Sequence, residues 1–170
     1  MKNVAVVGGG LMGSGIAEVS ARAGHDVIVV ESNEDAGKAA LGRLEKSLLR
    51  AEGKGKIDSA ADVLARIRVE TDLGATADRD VVVEAIVEDE SAKVALFKQL
   101  AAIVEAPDAI LASNTSSIPI MKLGVVTSRP TQVIGIHFFN PVPVLQLVEL
   151  VPSLLTSSDT TERSLSLIHI

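Results

Sequence analysis

The sequence predicts an α/β fold: a doubly wound, mostly parallel (Rossmann) sheet with helices on both faces. Short apolar runs rich in β-branched residues alternate with stretches of helical composition along the chain. That is the order from which parallel sheets with right-handed crossovers are built. Of 170 residues 47% are hydrophobic, yet the chain has three Phe and no Trp or Tyr. The core must therefore be Val, Ile, Leu and Ala, which suits strands buried on both faces. The first apolar run also leads straight into a glycine-rich turn, Gly8-Gly9-Gly10-Leu11-Met12-Gly13.

Residues 4–7 form the first expected strand. Gly8, Gly10 and Gly13 then match GxGxxG: a tight turn out of the strand, a close backbone approach for a pyrophosphate, and a helix lying close on the strand. The phosphate would sit on free N–H groups at the positive end of that helix. Residues 27–30 make the second strand, closed by Glu31, 21 positions after Gly10. A carboxylate there accepts hydrogen bonds from both adenosine ribose hydroxyls and repels a 2′-phosphate, which favours NAD over NADP. A lone GxGxxG is weak evidence, and a plain βαβ unit can carry one. Here it follows a strand, opens a helix and is answered by an acid.

Residues 13–23 are rich in small residues and stop at Gly24. Residues 34–52 are helical in composition, with Ser32 or Asn33 as cap. On a helical wheel Arg43, Lys46, Arg50 and a notional Lys54 fall within an arc of about 80°, opposite Leu44 and Leu48. That basic stripe reads either as a solvated face or as a track for a polyphosphate ligand. A further helix is expected over 59–66 and a short strand over 67–69. The fourth strand is expected over 80–86, ending in Glu84 and Glu88, and the next helix over 89–104 with Val94, Phe97, Leu100 and Ala101 on its inner face. Strands over 109–112 and 132–136 follow, trailed by Ser113-Asn114-Thr115-Ser116-Ser117 and by His137-Phe138-Phe139-Asn140. The seventh apolar run, 145–151, contains Glu149.

The net charge is −6 and the sequence pI about 5.1, which argues against a nucleic-acid or anionic-membrane surface. The mean hydropathy is +0.36, but no apolar run approaches the ~18 residues of a membrane span. Without Cys there are no disulfides, thiolate metal sites or thiol nucleophiles. HExxH, a Walker glycine-lysine pair and GxSxG are absent, so neither a metal nor nucleoside-triphosphate chemistry nor a serine-hydrolase elbow is expected. A soluble, cytoplasmic protein is the default expectation.

In doubly wound sheets ligands bind beyond the carboxyl ends of the strands. The glycine turn, Glu88, residues 113–117 and residues 137–140 all stand at such ends. His137 is one of three histidines, the others being His25 and the tail's His169; it is either a structural hydrogen-bonder or a general base. Glu149 lies in an otherwise apolar run. Burying it would require a partner, and a His137–Glu149 pair would hold the imidazole in one tautomer. The alternative is that Glu149 faces water from an edge strand. The 113–117 cluster either caps a turn or hydrogen-bonds a substrate oxygen.

Four blocks, GGGLMGSGIA, VVVEAIVED, ASNTSSIPI and HFFNPVPVLQLVELV, stand in an order and near-spacing that resembles the NAD-binding domain of the L-3-hydroxyacyl-CoA dehydrogenases, among them the bacterial 3-hydroxybutyryl-CoA dehydrogenases, over about residues 2–160. The resemblance implies an NAD cofactor, with Gly8, Gly10, Leu11, Met12 and Gly13 as the pyrophosphate loop. Glu31 matches the acid on the adenosine ribose, where the family more often has Asp. Glu88 and Lys93 match residues near the nicotinamide side, and Asn140 a cofactor-contacting asparagine. Ser116 matches the serine on the substrate's 3-oxygen, His137 the catalytic base and Glu149 the acid that orients it. Ser47 and Lys54 match positions that contact coenzyme A, which assigns the basic stripe a ligand.

The implied reaction is NAD-dependent oxidation of an L-3-hydroxyacyl-CoA to the 3-oxoacyl-CoA, and its reverse, in fatty-acid oxidation or butanoate metabolism. The implied partners are an acyl-CoA substrate and, for a full-length protein, a second copy in a homodimer; neither nucleic acid nor membrane is implied. Residues 1–155 are expected to form the NAD-binding Rossmann domain. Residues 156–170 are expected to be the truncated start of the family's helical C-terminal domain or a non-native tail, because SLSLIHI does not read as a completed element. Two competing expectations are a dehydrogenase of free 3-hydroxy (sugar) acids and a non-catalytic, crystallin-like NAD-binding module.

Overall fold

The protein's structure is a computed structural model and describes residues 3–168, so His169 lies outside the described residues. Its strands are β1 (Asn3–Val7), β2 (Asp26–Val30), β3 (Ile67–Glu70), β4 (Val81–Glu84), β5 (Ile110–Ser113), β6 (Val133–Phe138) and β7 (Val148–Pro152). Its helices are α1 (Leu11–Arg22), α2 (Glu34–Gly53), α3 (Ala60–Leu64), α4 (Glu90–Ile103), α5 (Ile120–Gly124) and α6 (Ser158–Ile168). The strands join one sheet in the order β3-β2-β1-β4-β5-β6-β7. The first six run parallel, and β7 pairs antiparallel with β6. The strand order reverses between β1 and β4, the crevice where such sheets take ligands.

Alternation along the central strands divides the core in two. Val4 and Val6 of β1, Val27 and Val29 of β2 and Val81 and Val83 of β4 pack with Ile16, Ala17 and Ala21 of α1 and with Ala40, Leu44 and Leu48 of α2. Ala5, Val7, Ile28, Val30 and Val82 pack on the other face with Leu96, Phe97 and Leu100 of α4 and with Ile120 and Leu123 of α5. A strand flanked by helices on both faces has no polar side, which is why these runs read as continuous apolar stretches. The α2 cap is Asn33, whose side chain accepts from Ala36 N–H.

Three local departures from the sequence reading, and the form of the segment after 156, have physical reasons. The helix α1 starts at Leu11, because Gly10, in an extended conformation, is its N-cap. The ladder of β4 stops at Glu84, and Ile86 N–H leaves the sheet to donate to the Glu84 carboxylate at 2.8 Å. The short helix α5 was not anticipated; it is five residues long, too short for a hydrophobic period to register. The chain after 156 forms α6, whose Thr160 and Ser164 are buried. There Thr160 donates to Thr131 O at 2.9 Å and Ser164 to Thr160 O at 2.7 Å. Polar groups that satisfy one another on the packed side hide this helix from an apolar-pattern reading.

At Gly13 an added Cβ would lie 1.7 Å from the Gly8 carbonyl oxygen and 3.3 Å from Val6. The obstacle is backbone, which cannot rotate away. The substitution Gly13→Ala is expected to cost on the order of 3 kcal/mol, lowering Tm by roughly 6–12 °C in a circular-dichroism melt. An unchanged Tm would contradict this packing of α1 on the turn.

Candidate active site

Because β1 to β6 are parallel, the residues that follow each strand collect along one edge of the sheet. The turn after β1 begins with Gly8 at φ +96°, where an added Cβ would meet Ala85 O at 2.7 Å. Gly10 has open space where a side chain would stand, and no side chain caps α1. The first N–H groups of a helix have no intrahelical partner, so this end offers backbone donors and the positive helix pole to an anion. Across the turn, Glu31 Oε1 accepts from Gly9 N–H at 2.7 Å and Oε2 from Ser32 N–H at 3.2 Å. The Gly9 carbonyl accepts from Ser14 Oγ at 2.7 Å and from Arg43 Nη1 at 3.3 Å. Beside the turn lies a cleft of about 510 Å³ lined by Gly8, Gly10, Val30, Glu31, Ile86 and Leu96, among others. An acid at the lip, apolar walls and an unobstructed backbone suit an adenine dinucleotide.

The ends of β4 and β5 are joined by charge. Glu84 is fully buried and the Lys93 side chain is 1% exposed. Lys93 Nζ lies 2.5 Å from Glu84 Oε1 and 3.1 Å from Glu88 Oε2. Ser113 Oγ donates to Glu84 Oε2 at 2.5 Å. On its outer oxygen Glu88 accepts from Thr115 Oγ1, from Ser116 N–H at 3.2 Å and from Ser117 Oγ at 3.0 Å. Burial opposes ionisation of Glu88, but the Thr115 and Lys93 hydrogen bonds and the Lys93 charge outweigh it and hold its pKa at about 2.

The end of β6 meets the start of β7. Antiparallel pairing sets His137 directly opposite Glu149, with Nδ1 3.1 Å from Glu149 Oε2. The reason expected for that pair was burial, and burial is not what is found: the Glu149 side chain is 54% exposed, on an edge strand. Strand register alone puts the two side chains on one face. The His137 ring also packs on Phe139, with centroids 4.5 Å apart. Asn114 Oδ1 accepts from Phe138 N–H at 2.8 Å, tying the 113–117 turn to the end of β6. Ser116 and Asn140 are exposed at the same edge.

The strand ends thus gather Gly8, Gly10, Glu31, Glu88, Ser116 and His137, with Glu149 brought in by β7. The exposed Leu11, half-buried Met12 and Gly13 open α1, and Lys93 lies beneath the rim, not on it. Ser47 is half-buried on α2, and Lys54 is the exposed cap after Gly53, at φ −98°. Lys54 therefore leaves the wheel that would align it with Arg43, Lys46 and Arg50, and of that stripe Arg43 is the member that reaches the glycine turn. Sequence reasoning passed over Glu84 as a site residue and took Asn114 only within the 113–117 cluster, without its tie to Phe138. A usable signal was present for the first: Lys93 shares a helical face with Phe97 and Leu100, so it points inward and needs an acid.

A model of the family described as 3-hydroxyacyl-CoA dehydrogenase, NAD binding domain, matches residues 3–169. The chain is 51% identical over 166 residues to a Mycobacterium tuberculosis protein named 3-hydroxybutyryl-CoA dehydrogenase, covering 96% of this chain and 58% of that one. It is 42% identical over 170 residues to the pig protein named hydroxyacyl-coenzyme A dehydrogenase, mitochondrial, covering 95% and 54%. Among solved structures, M. tuberculosis FadB2 superposes with a TM-score of 0.96 at 49% identity, covering 99% of this chain and 60% of that one. The chain therefore spans a little over half the length of the curated relatives it matches.

Two outcomes test this geometry. The substitution Gly10→Ala, with nothing within 4 Å to strike, is expected to leave Tm unchanged while weakening NADH binding at least tenfold, roughly one lost charge-assisted hydrogen bond, by fluorescence titration. Glu88 has a folded pKa of about 2 against an ordinary 4.5. Its contribution to stability is complete above pH 4.5 and fades as pH falls towards 2. Urea unfolding across that window should show a shallower acid loss for Glu88→Gln than for the wild type.

Proposed function

The chain belongs to the family of 3-hydroxyacyl-CoA dehydrogenase NAD-binding domains, and from that premise we propose that the protein oxidises an L-3-hydroxyacyl-CoA to the 3-oxoacyl-CoA, and reduces it in reverse. The observation that carries the reading is the His137–Glu149 pair, at the same sheet edge as the glycine turn. The turn at Gly8, Gly10, Leu11, Met12 and Gly13 would hold the NAD pyrophosphate, and Glu31 the adenosine ribose. Glu88 and Asn140 would line the nicotinamide side, with Lys93 beneath Glu88. What bound NAD supplies is an acceptor for the hydride from C3.

The chain's own residues handle the proton. With Nδ1 turned to Glu149, the tautomer that donates Nδ1–H to the carboxylate leaves Nε2 as the base for the 3-hydroxyl. The Glu149 charge then stabilises the imidazolium that forms. Ser116, exposed on the neighbouring turn, would hydrogen-bond the 3-oxygen and orient it towards His137. In the reducing direction the imidazolium returns the proton to the developing alkoxide. Ser47 and Lys54, with Arg50 between them on α2, would hold the coenzyme A moiety. The family resemblance also supports a homodimer and a cytoplasmic location; among the described residues no helix is long and apolar enough to cross a membrane.

Oxidation of NADH followed by absorbance with acetoacetyl-CoA tests the reading, with free acetoacetate as the control. The substitution His137→Gln should lower kcat by about 10²–10⁴, and wild-type turnover would remove His137 from the role. Replacing Arg50 and Lys54 by Ala should raise KM for acetoacetyl-CoA with little change in kcat. An unchanged KM would detach coenzyme A from α2.

A further inference from the structure

The buried charges under the site have no share in the proton chemistry. A buried ion pair is a poor means of stabilising a fold. Removing two charges from water costs several kcal/mol each, and an apolar pair of the same size often does as well. Here Glu84 is fully buried and Lys93 1% exposed, yet each has several polar partners. The Glu84 oxygens accept from Lys93 on α4, from Ile86 N–H beyond β4 and from Ser113 at the end of β5. Lys93 carries the connection outward to Glu88 at 3.1 Å. Glu88 in turn accepts from Thr115, Ser116 N–H and Ser117. An unbroken series of hydrogen bonds and ion pairs therefore runs from the buried end of β4 to the backbone of Ser116.

We propose that Glu84 is a positioning residue: a buried anchor that, through Lys93 and Glu88, fixes the 113–117 turn and the nicotinamide half of the cofactor site. It touches neither cofactor nor substrate. The ladder and Asn114 N–H to Glu84 O at 2.9 Å already join β4 to β5; the side-chain network adds α4 and Glu88 to that frame and holds the three in one relative position. Packing alone tolerates sliding of a few tenths of an ångström, whereas directional hydrogen bonds to buried charges tolerate less. The glycine turn and Glu31 hang on different bonds, to Gly9, Ser32 and Ser14. The tie between the adenosine half and the Glu84 side chain is Ile86 N–H, a bond that the side-chain carbonyl of Glu84→Gln can still accept.

This inference rests on the dehydrogenase reading for its cofactor, and a pair of binding measurements separates the two. In Glu84→Gln, affinity for ADP, which occupies the adenosine half alone, should equal wild type. Affinity for NADH should fall about tenfold, the loss of one hydrogen bond to a charged group. Hydrogen exchange at the Ser116 amide should quicken. With NADH and ADP both binding as in the wild type, Glu84 has no positioning role. Equal weakening of the two would mean that it only supports the fold, and overturns the proposal as well. If Glu84→Gln does not fold, Ser113→Ala carries the same test: it keeps both charges and removes one donor to Glu84, with the same split expected in smaller measure. Absence of wild-type turnover on acetoacetyl-CoA, with the NADH and ADP split intact, would sink the dehydrogenase reading and leave this one standing.

Discussion

Two opposite charges, the Glu84 carboxylate and the Lys93 ammonium, sit 2.5 Å apart in the interior where β4 meets α4. Neither could be there alone, since an unpaired charge in that position would neutralise or disrupt the packing around it. Pairing them imposes a condition on the whole edge: β4 must end at Glu84, α4 must turn Lys93 inward, and β5 must present Ser113 at the same level. Two of the chain segments that carry the site's polar residues, 84–93 and 113–117, are placed by that condition. The depressed pKa of Glu88 is its outer consequence, keeping a carboxylate ionised against burial.

A second constraint acts at β1 and is steric, not electrostatic. The turn from β1 into α1 brings Gly13 against the Gly8 carbonyl and leaves Gly10 open. One glycine is required by the fold and another by whatever approaches it. Glu31 serves both sides as well, because an oxygen that accepts from Gly9 N–H also ties β2 to the turn. A substitution there would disturb the loop before it disturbed any ligand.

Topology supplies the third element. Parallel strands deliver their following residues to one edge, but none of the six could place an acid face to face with His137. The antiparallel β7 does so, because its second residue falls in register with the fifth residue of β6. The sequence argument for this pair invoked a buried Glu149. The pair exists with Glu149 half exposed, so its cause is register and not the cost of burial.

Much of this was legible in one dimension. The seven strands, the long helices, the glycine turn and the acid at Glu31 each leave a local signature, because apolar alternation, turn chemistry and capping act over a few residues. His137 and Glu149 could be nominated from their setting among apolar neighbours. The Glu84–Lys93–Glu88 network, the tie from Asn114 to Phe138 and the packed polar face of α6 left no such trace. Each joins residues from different elements through hydrogen bonds that replace water. By itself the sequence determined the doubly wound class, the edge where ligands meet the sheet and the residue types available there. The tertiary structure alone decided which of those groups touch, because strand register and the mutual satisfaction of buried polar groups are settled only when distant segments pack together.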